Sequence, residues 1–125
     1  MAAYTFKKAE RLKSRKKIKR LFANGKSFAV YPLRVIWTEE LDEQQPFPVQ
    51  FALTVPKKKF AKAAHRNRLR RRMREAWRLH KHQLYKKCEK AERFYSFMII
   101  YTAAEELHYE DIEKAMKKII SRFRT

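Results

Sequence analysis

Residues 65–78 read HRNRLRRRMREAWR, eight basic side chains counting His65 against the single carboxylate of Glu75. The run nevertheless has helical phasing. At 100° per residue Leu69, Met73, Ala76, Trp77, His80 and Leu84 share one stripe, while Asn67, Arg71, Arg74 and Arg78 lie opposite. Arginine is a good helix former, and packing of the apolar stripe onto a sheet can hold the like charges in one helix. The spacing predicts a helix over about 63–84 and leaves open what the charge is for.

The segments on either side decide what that helix packs against. Upstream, a helix is expected over 14–24, with Ser14 as its cap, Ile18, Leu21 and Phe22 on one face, and Gly25, the chain's only glycine, as a left-handed stop. YPLRVIWT (31–38) sets Leu33, Val35 and Trp37 against Arg34, Ile36 and Thr38, the alternation of a strand with two unlike faces, with Pro32 at its start. EELDE (39–43) reads as an acidic loop, VQFALTV (49–55) as a further strand, and 27–30 as a short extended piece beside them. Downstream, RFYSFMIIYT (93–102) is almost continuously apolar, which places it at the sheet centre, buried on both faces. Ile112, Ala115, Met116, Ile119, Ile120 and Phe123 mark a last amphipathic helix. The predicted order is αβββαβα, an α+β sandwich forming one domain over 1–125.

Lys and Arg number 32 against 13 Asp and Glu, a formal charge of +19. That imbalance costs self-repulsion in a folded domain unless a polyanion screens it. The charge comes in blocks: residues 7–20 carry nine Lys or Arg and one Glu, and residues 57–74 carry ten and no carboxylate. The acids gather in 39–43 and 105–113, away from the basic blocks in sequence. Nucleic acid is the expected partner. A membrane is not, because no apolar run approaches the roughly 18 residues a span needs. The basic opening has no apolar stretch after it of the kind a secretory signal requires, and Cys88 is the only cysteine. These features point to the cytoplasm.

Catalytic chemistry is hard to find. No nucleophile with its base and no carboxylate pair of unlike environment emerges. His80 and His82 fall on different helix faces, and Cys88 has no partner at zinc spacing, so no metal site is expected. GKS (25–27) matches the end of a phosphate-binding loop, but Arg20 stands where that motif needs its first glycine. A lone Lys or Arg is ordinarily a solvated residue. The cluster differs: arginines on several sides of one helix offer planar forks to phosphates, Asn67 adds a donor and an acceptor, and PKKK (56–59) brings ammonium groups to the helix start.

At RNRLRRRMREAWR, after a strand and PKKK, the sequence resembles the protein subunit of bacterial ribonuclease P, whose hallmark is an Arg-Asn-Arg-x-Lys/Arg-Arg-x-x-Arg-Glu helix, here Arg66 to Glu75. RLKSRKKIKRLFANGKSF (11–28) is similar to that family's opening. The resemblance covers essentially the whole chain. It implies a compact αβββαβα fold with a left-handed crossover about the long helix, against the right-handed default. It also implies a ribonucleoprotein endoribonuclease in which a catalytic RNA, with bound Mg2+, removes the 5′ leader of precursor tRNA, while the protein supplies no catalytic residue and binds no cofactor alone. By position, Arg66, Asn67, Arg68, Arg70, Arg71 and Arg74 would bind the catalytic RNA. Ile18, Phe22, Arg34, Ile36, Lys57 and Lys58 would line a cleft for the single-stranded leader, by stacking and basic contacts that tolerate any sequence. Ordinary packing of helix on sheet accounts for Ile18 equally well.

The sequence departs from the family pattern at three places. Ile18 stands where an aromatic is common, Pro56 replaces a common serine, and KKKFAKAAH (57–65) lacks the usual glycine. The competing expectation is a structural RNA-binding protein of ribosomal or assembly type, which would not prefer tRNA bearing a 5′ extension. DNA is disfavoured: no helix-turn-helix spacing is evident, and arginines around most of a helix suit irregular RNA better than one groove of B-DNA.

Overall fold

The computed structural model describes residues 7–41 and 46–125. A single 3-10 turn at Lys8–Glu10 leads into α1 (Arg15–Asn24), β1 (Lys26–Val30), β2 (Leu33–Glu40), β3 (Val49–Thr54), α2 (Ala63–Ala91), β4 (Phe94–Tyr101) and α3 (Tyr109–Arg122). This is the αβββαβα order read from the sequence. The sheet runs β1-β2-β4-β3. β2 pairs antiparallel with both of its neighbours, β1 and β4, and β3 lies parallel to β4 across the α2 crossover. The apolar run of β4 does take the centre, with Tyr95 to Ile99 all buried.

The two faces of the sheet are covered differently. On one, α2 and α3 close the main core, where Phe51 stacks flat on Trp77 with centroids 4.1 Å apart. Phe123 meets Trp37, Tyr95 and Phe97 edge-on at 4.9, 5.0 and 4.9 Å. Each such fully buried large apolar side chain contributes about 1.5–3 kcal/mol. On the other face α1 makes a smaller cluster, with Leu12, Leu21 and Met98 buried and Ile18, Ile36, Ala52 and Ile100 partly so. Ser14 caps α1 as predicted, its Oγ accepting from the N–H of Lys17 at 3.3 Å.

Gly25 is not a left-handed stop. Its φ and ψ are −68° and 147°, which any residue adopts. What forbids a side chain there is proximity: a Cβ would lie 2.3 Å from the Leu21 carbonyl oxygen and 2.6 Å from Cγ2 of Ile36. Among the described residues the left-handed one is Glu92 instead, at φ 55°, whose N–H bonds back to Cys88 and Glu89 and ends α2.

That end lies beyond the predicted 84. The buried stripe continues from Leu84 to Cys88 one turn later, while lysines surround it in sequence. Burial pushes the Cys88 thiol up to about 12, so it packs as a small apolar group. His80 is only half buried, with Nε2 2.9 Å from Glu113. The acidic stretch is also not simply a loop. Glu39 and Glu40 extend β2, and Glu40 is buried; Asp42 and Glu43 lie outside the described residues, as do residues 1–6 of the basic opening.

Besides Glu40, the described residues bury two ionic groups, Glu10 and Lys81, against each other. Glu10, 1% exposed, accepts hydrogen bonds from Lys81 Nζ at 2.5 Å, the Tyr85 hydroxyl at 2.5 Å and the Lys7 N–H at 2.7 Å. Lys81 is 3% exposed. A carboxylate buried this deeply is tolerated only because its lone pairs are answered. The pair fastens the N-terminal segment to α2, and beyond it the Leu12 N–H donates to Phe51 O at 2.9 Å along the outer edge of β3.

Candidate nucleic-acid interface

Arg78 of α2 pairs with Glu75, and the six arginines before Glu75 fall into three sets. Arg66 turns inward, and its Nη1 donates to the carbonyls of Phe60 and Ala61, both at 2.8 Å. It thereby closes the turn that lacks a glycine. Phe60, 8% exposed, anchors that turn with its ring edge-on to Tyr101 at 5.7 Å.

The second set is neutralised from the β4–α3 loop. Arg68 donates to both oxygens of Glu106, and Arg72 and His65 lie 3.7 and 3.4 Å from the same carboxylate. Arg72 also donates to Leu107 O at 2.7 Å. The Arg68 hydrogen bond, reinforced by the charges of Arg68, Arg72 and His65, outweighs slight burial and holds the Glu106 carboxyl below the usual range. The basic block therefore has compensation from an acid far away in sequence.

The third set is uncompensated. Among the described residues Arg70, Arg71 and Arg74 form no ion pair. Arg70 donates from Nη1 to Asn67 Oδ1 at 3.2 Å, which orients its guanidinium and leaves the Asn67 amide N–H groups to donate. Partial burial, and then the charges of Arg11, Arg70 and Arg71, depress the pKa of the Arg74 guanidinium. The field at this spot favours an anion.

Arg11 and Lys13 are the residues a sequence reading passes over. Both stand near Arg70 and Arg74 because the N-terminal segment is strapped along β3. The only sign in the sequence is Glu10, one acid among nine cations.

The other predicted group lies across the sheet. Register sets Arg34 opposite Ile100 and Ile100 opposite Thr54, with Ile36, Met98 and Ala52 forming the next row. Lys57 and Lys58 are exposed in the turn that follows β3, at the end of the sheet marked by that first row. Arg34 is exposed and donates to Ser27 Oγ at 3.1 Å. Ile18 and Ile36 serve first as packing between α1 and the sheet. Phe22, by contrast, is 55% exposed, one residue after the buried Leu21 and close to where Gly25 meets Ile36. Arg20 of α1 reaches Glu40, which also accepts from Ser96 Oγ at 2.9 Å and Thr38 Oγ1 at 3.1 Å, so α1 is tied to the sheet beside this surface.

Among the described residues no three His, Cys, Asp or Glu side chains converge as a metal site, and no helix is long and apolar enough to cross a membrane. A family model described as ribonuclease P matches residues 6–124. The chain belongs to the ribonuclease P protein family. It is 33% identical over 121 residues to the ribonuclease P protein component of Porphyromonas gingivalis strain ATCC 33277, spanning 97% of this chain and 88% of that one. The component from strain W83 is 34% identical over 115 residues, 92% and 83% of the two chains.

Solved ribonuclease P proteins share the fold. That of Thermotoga maritima superposes with a TM-score of 0.73 at 20% identity, covering 92% of this chain and 98% of its own. That of Staphylococcus aureus gives 0.71 at 20% identity, covering 91% and 94%. The ribonuclease P α+β architecture is thus kept here although Phe60 and Arg66 brace a turn that has no glycine.

Proposed function

We infer that this chain is the protein component of a bacterial ribonuclease P, the ribonucleoprotein endoribonuclease that frees the 5′ end of tRNA. It acts as a cofactor, binding the catalytic RNA through α2 and the precursor's 5′ leader through the surface between α1 and the sheet. The observation that carries this reading is the split of the α2 arginines. One flank is answered by Glu106, while Asn67, Arg70, Arg71 and Arg74 are left to answer phosphates. Arg66 contributes indirectly, by holding the turn that carries Lys57 and Lys58.

Phosphodiester hydrolysis is the chemistry of Mg2+ held by the RNA. The protein's residues bring cations to the place where two RNAs meet, which lowers repulsion between them and the demand for free magnesium. Phe22 offers a ring to an unpaired leader base, and Arg34, Lys57 and Lys58 offer charge to its backbone. The place of action is the cytoplasm, where tRNA precursors are made.

The test is reconstitution with purified catalytic RNA. The protein should stimulate 5′ processing at low magnesium and strengthen binding of precursor over mature tRNA. Equal stimulation by an unrelated basic protein of matched charge, or equal affinity for tRNA with and without a 5′ extension, would favour a general structural RNA-binding role instead.

A further inference from the structure

The N-terminal strap and α2 border an open notch of about 200 Å3. Its floor is apolar, made by Leu12, Phe51, Ala52 and Leu53, and its walls are Arg11, Lys13, Arg70 and Arg74. We propose that this notch seats one phosphodiester of an RNA backbone, with Arg11 and Lys13 of the strap completing a site that α2 alone does not make. The proposal rests on the ribonuclease P reading above.

Three observations carry it. The strap is extended at Arg11, with φ −82° and ψ 132°, and Leu12 is buried. Alternation along an extended chain therefore turns Arg11 and Lys13 to the same side, away from Leu12. Across the notch Arg70 and Arg74 are four residues apart on one helix face, so the four cations converge from two elements. Among the described residues no carboxylate lines the notch. The molecule does balance cations elsewhere, as Glu106 does for Arg68 and Arg72, whereas Arg70 and Arg74 form no ion pair among the described residues.

Convergence here is also built in advance. The Glu10 carboxylate, held by Lys81 and Tyr85, fixes the strap immediately before Arg11, and the Leu12 N–H bond to Phe51 fixes it immediately after. Cations held together before binding cost repulsion, which a phosphate relieves, and little ordering entropy remains for the bound state. Arginine forks suit a phosphate's paired oxygens, and Lys13 adds a point charge.

The notch could take its phosphodiester from the catalytic RNA or from the precursor leader, and the experiment separates them. Arg11→Gln, Lys13→Gln and Arg11→Lys are made in the full chain, with melting temperature as the check on fold. Affinity for purified catalytic RNA is measured across a salt series, and affinity of the assembled enzyme for precursor is measured with leaders of two lengths. Each Gln variant should weaken one of these about fivefold and make its log-log salt slope shallower by about one, with Arg11→Lys largely retaining binding. The RNA that responds is the source.

No change in either measurement for Arg11→Gln and Lys13→Gln, while Arg70→Gln or Arg74→Gln still weakens RNA binding, would overturn the notch and leave the ribonuclease P reading standing. No effect of any of the four Gln variants in folded protein would remove both. If Arg11→Gln fails to fold, Lys13→Gln and Arg11→Lys still decide the matter.

Discussion

Glu106 grips Arg68 at two points, Nε to Oε2 at 3.1 Å and Nη2 to Oε1 at 3.1 Å, across 38 residues of sequence. An RNA phosphate approaching Arg68 must compete with that carboxylate. Glu106→Gln should therefore tighten binding of the catalytic RNA by roughly threefold to tenfold at low salt and steepen its salt dependence, because two more guanidinium groups become available. The cost to stability should be about 0.5 kcal/mol, since the pair is half exposed. By the same logic Arg71→Ala should weaken RNA binding more than Arg68→Ala, with far-UV helicity intact in both. Equal losses in the two alanine variants would mean that Glu106 releases Arg68 in the complex.

The buried Glu10 and Lys81 pair makes a second prediction. Lys81→Met strands a carboxylate that is 1% exposed, and unfolding in urea should show a loss of about 3 kcal/mol. Replacing both partners by apolar residues, Glu10→Leu with Lys81→Met, should recover much of that loss. The double variant regaining nothing would indicate that the pair's geometry, and not its charge balance, is what the fold requires.

Gly25→Ala should destabilise the domain by about 2 kcal/mol, although the backbone there suits any residue. The new Cβ meets a backbone carbonyl of α1 at 2.3 Å, and Ile36 cannot retreat without disturbing Met98. Thermal melting decides this. A neutral result would show that α1 can shift off the sheet at no cost.

Most of the fold was legible because its elements announce themselves by local periodicity. β4 could be placed at the centre from its apolar run alone, and the Leu69, Met73, Trp77 stripe located the packing face of α2. The end of α2 was not legible, since lysines mask the step from Leu84 to Cys88 and a non-glycine residue, Glu92, takes the left-handed position. The acidic stretch misled because Glu40 is satisfied by Arg20, Thr38 and Ser96, and two of these belong to other elements. The same applies to the interface. Arginine spacing points to α2 as the proposed surface, but which arginines are engaged internally depends on Phe60, Ala61 and Glu106, partners brought close only by the turn before α2 and the β4–α3 loop.

The Glu40 network predicts an acid-dependent weakness between α1 and the sheet. Burial by itself would raise this carboxyl's pKa, but hydrogen bonds from Arg20 and Ser96, with the charge of Arg20 and a bond from Thr38, bring it below its ordinary 4.5. A depressed pKa in the folded state stabilises the protein above 4.5, and that stabilisation is lost as pH falls through the folded value. Glu40→Gln mimics the protonated form. The wild type should exceed it by about 2 kcal/mol near neutrality, and the gap should narrow steadily at pH below 4.5. Arg20→Gln, by bringing the folded pKa back toward 4.5, should shrink the pH-dependent part of that gap. Because Arg20 lies on α1, amide exchange at Leu21 to Asn24, taken relative to its intrinsic rate at each pH, should rise on acidification before that of the β4 amides does. A gap constant with pH, or exchange rising in α1 and β4 together, would show that Glu40 does not hold α1 to the sheet through its charge.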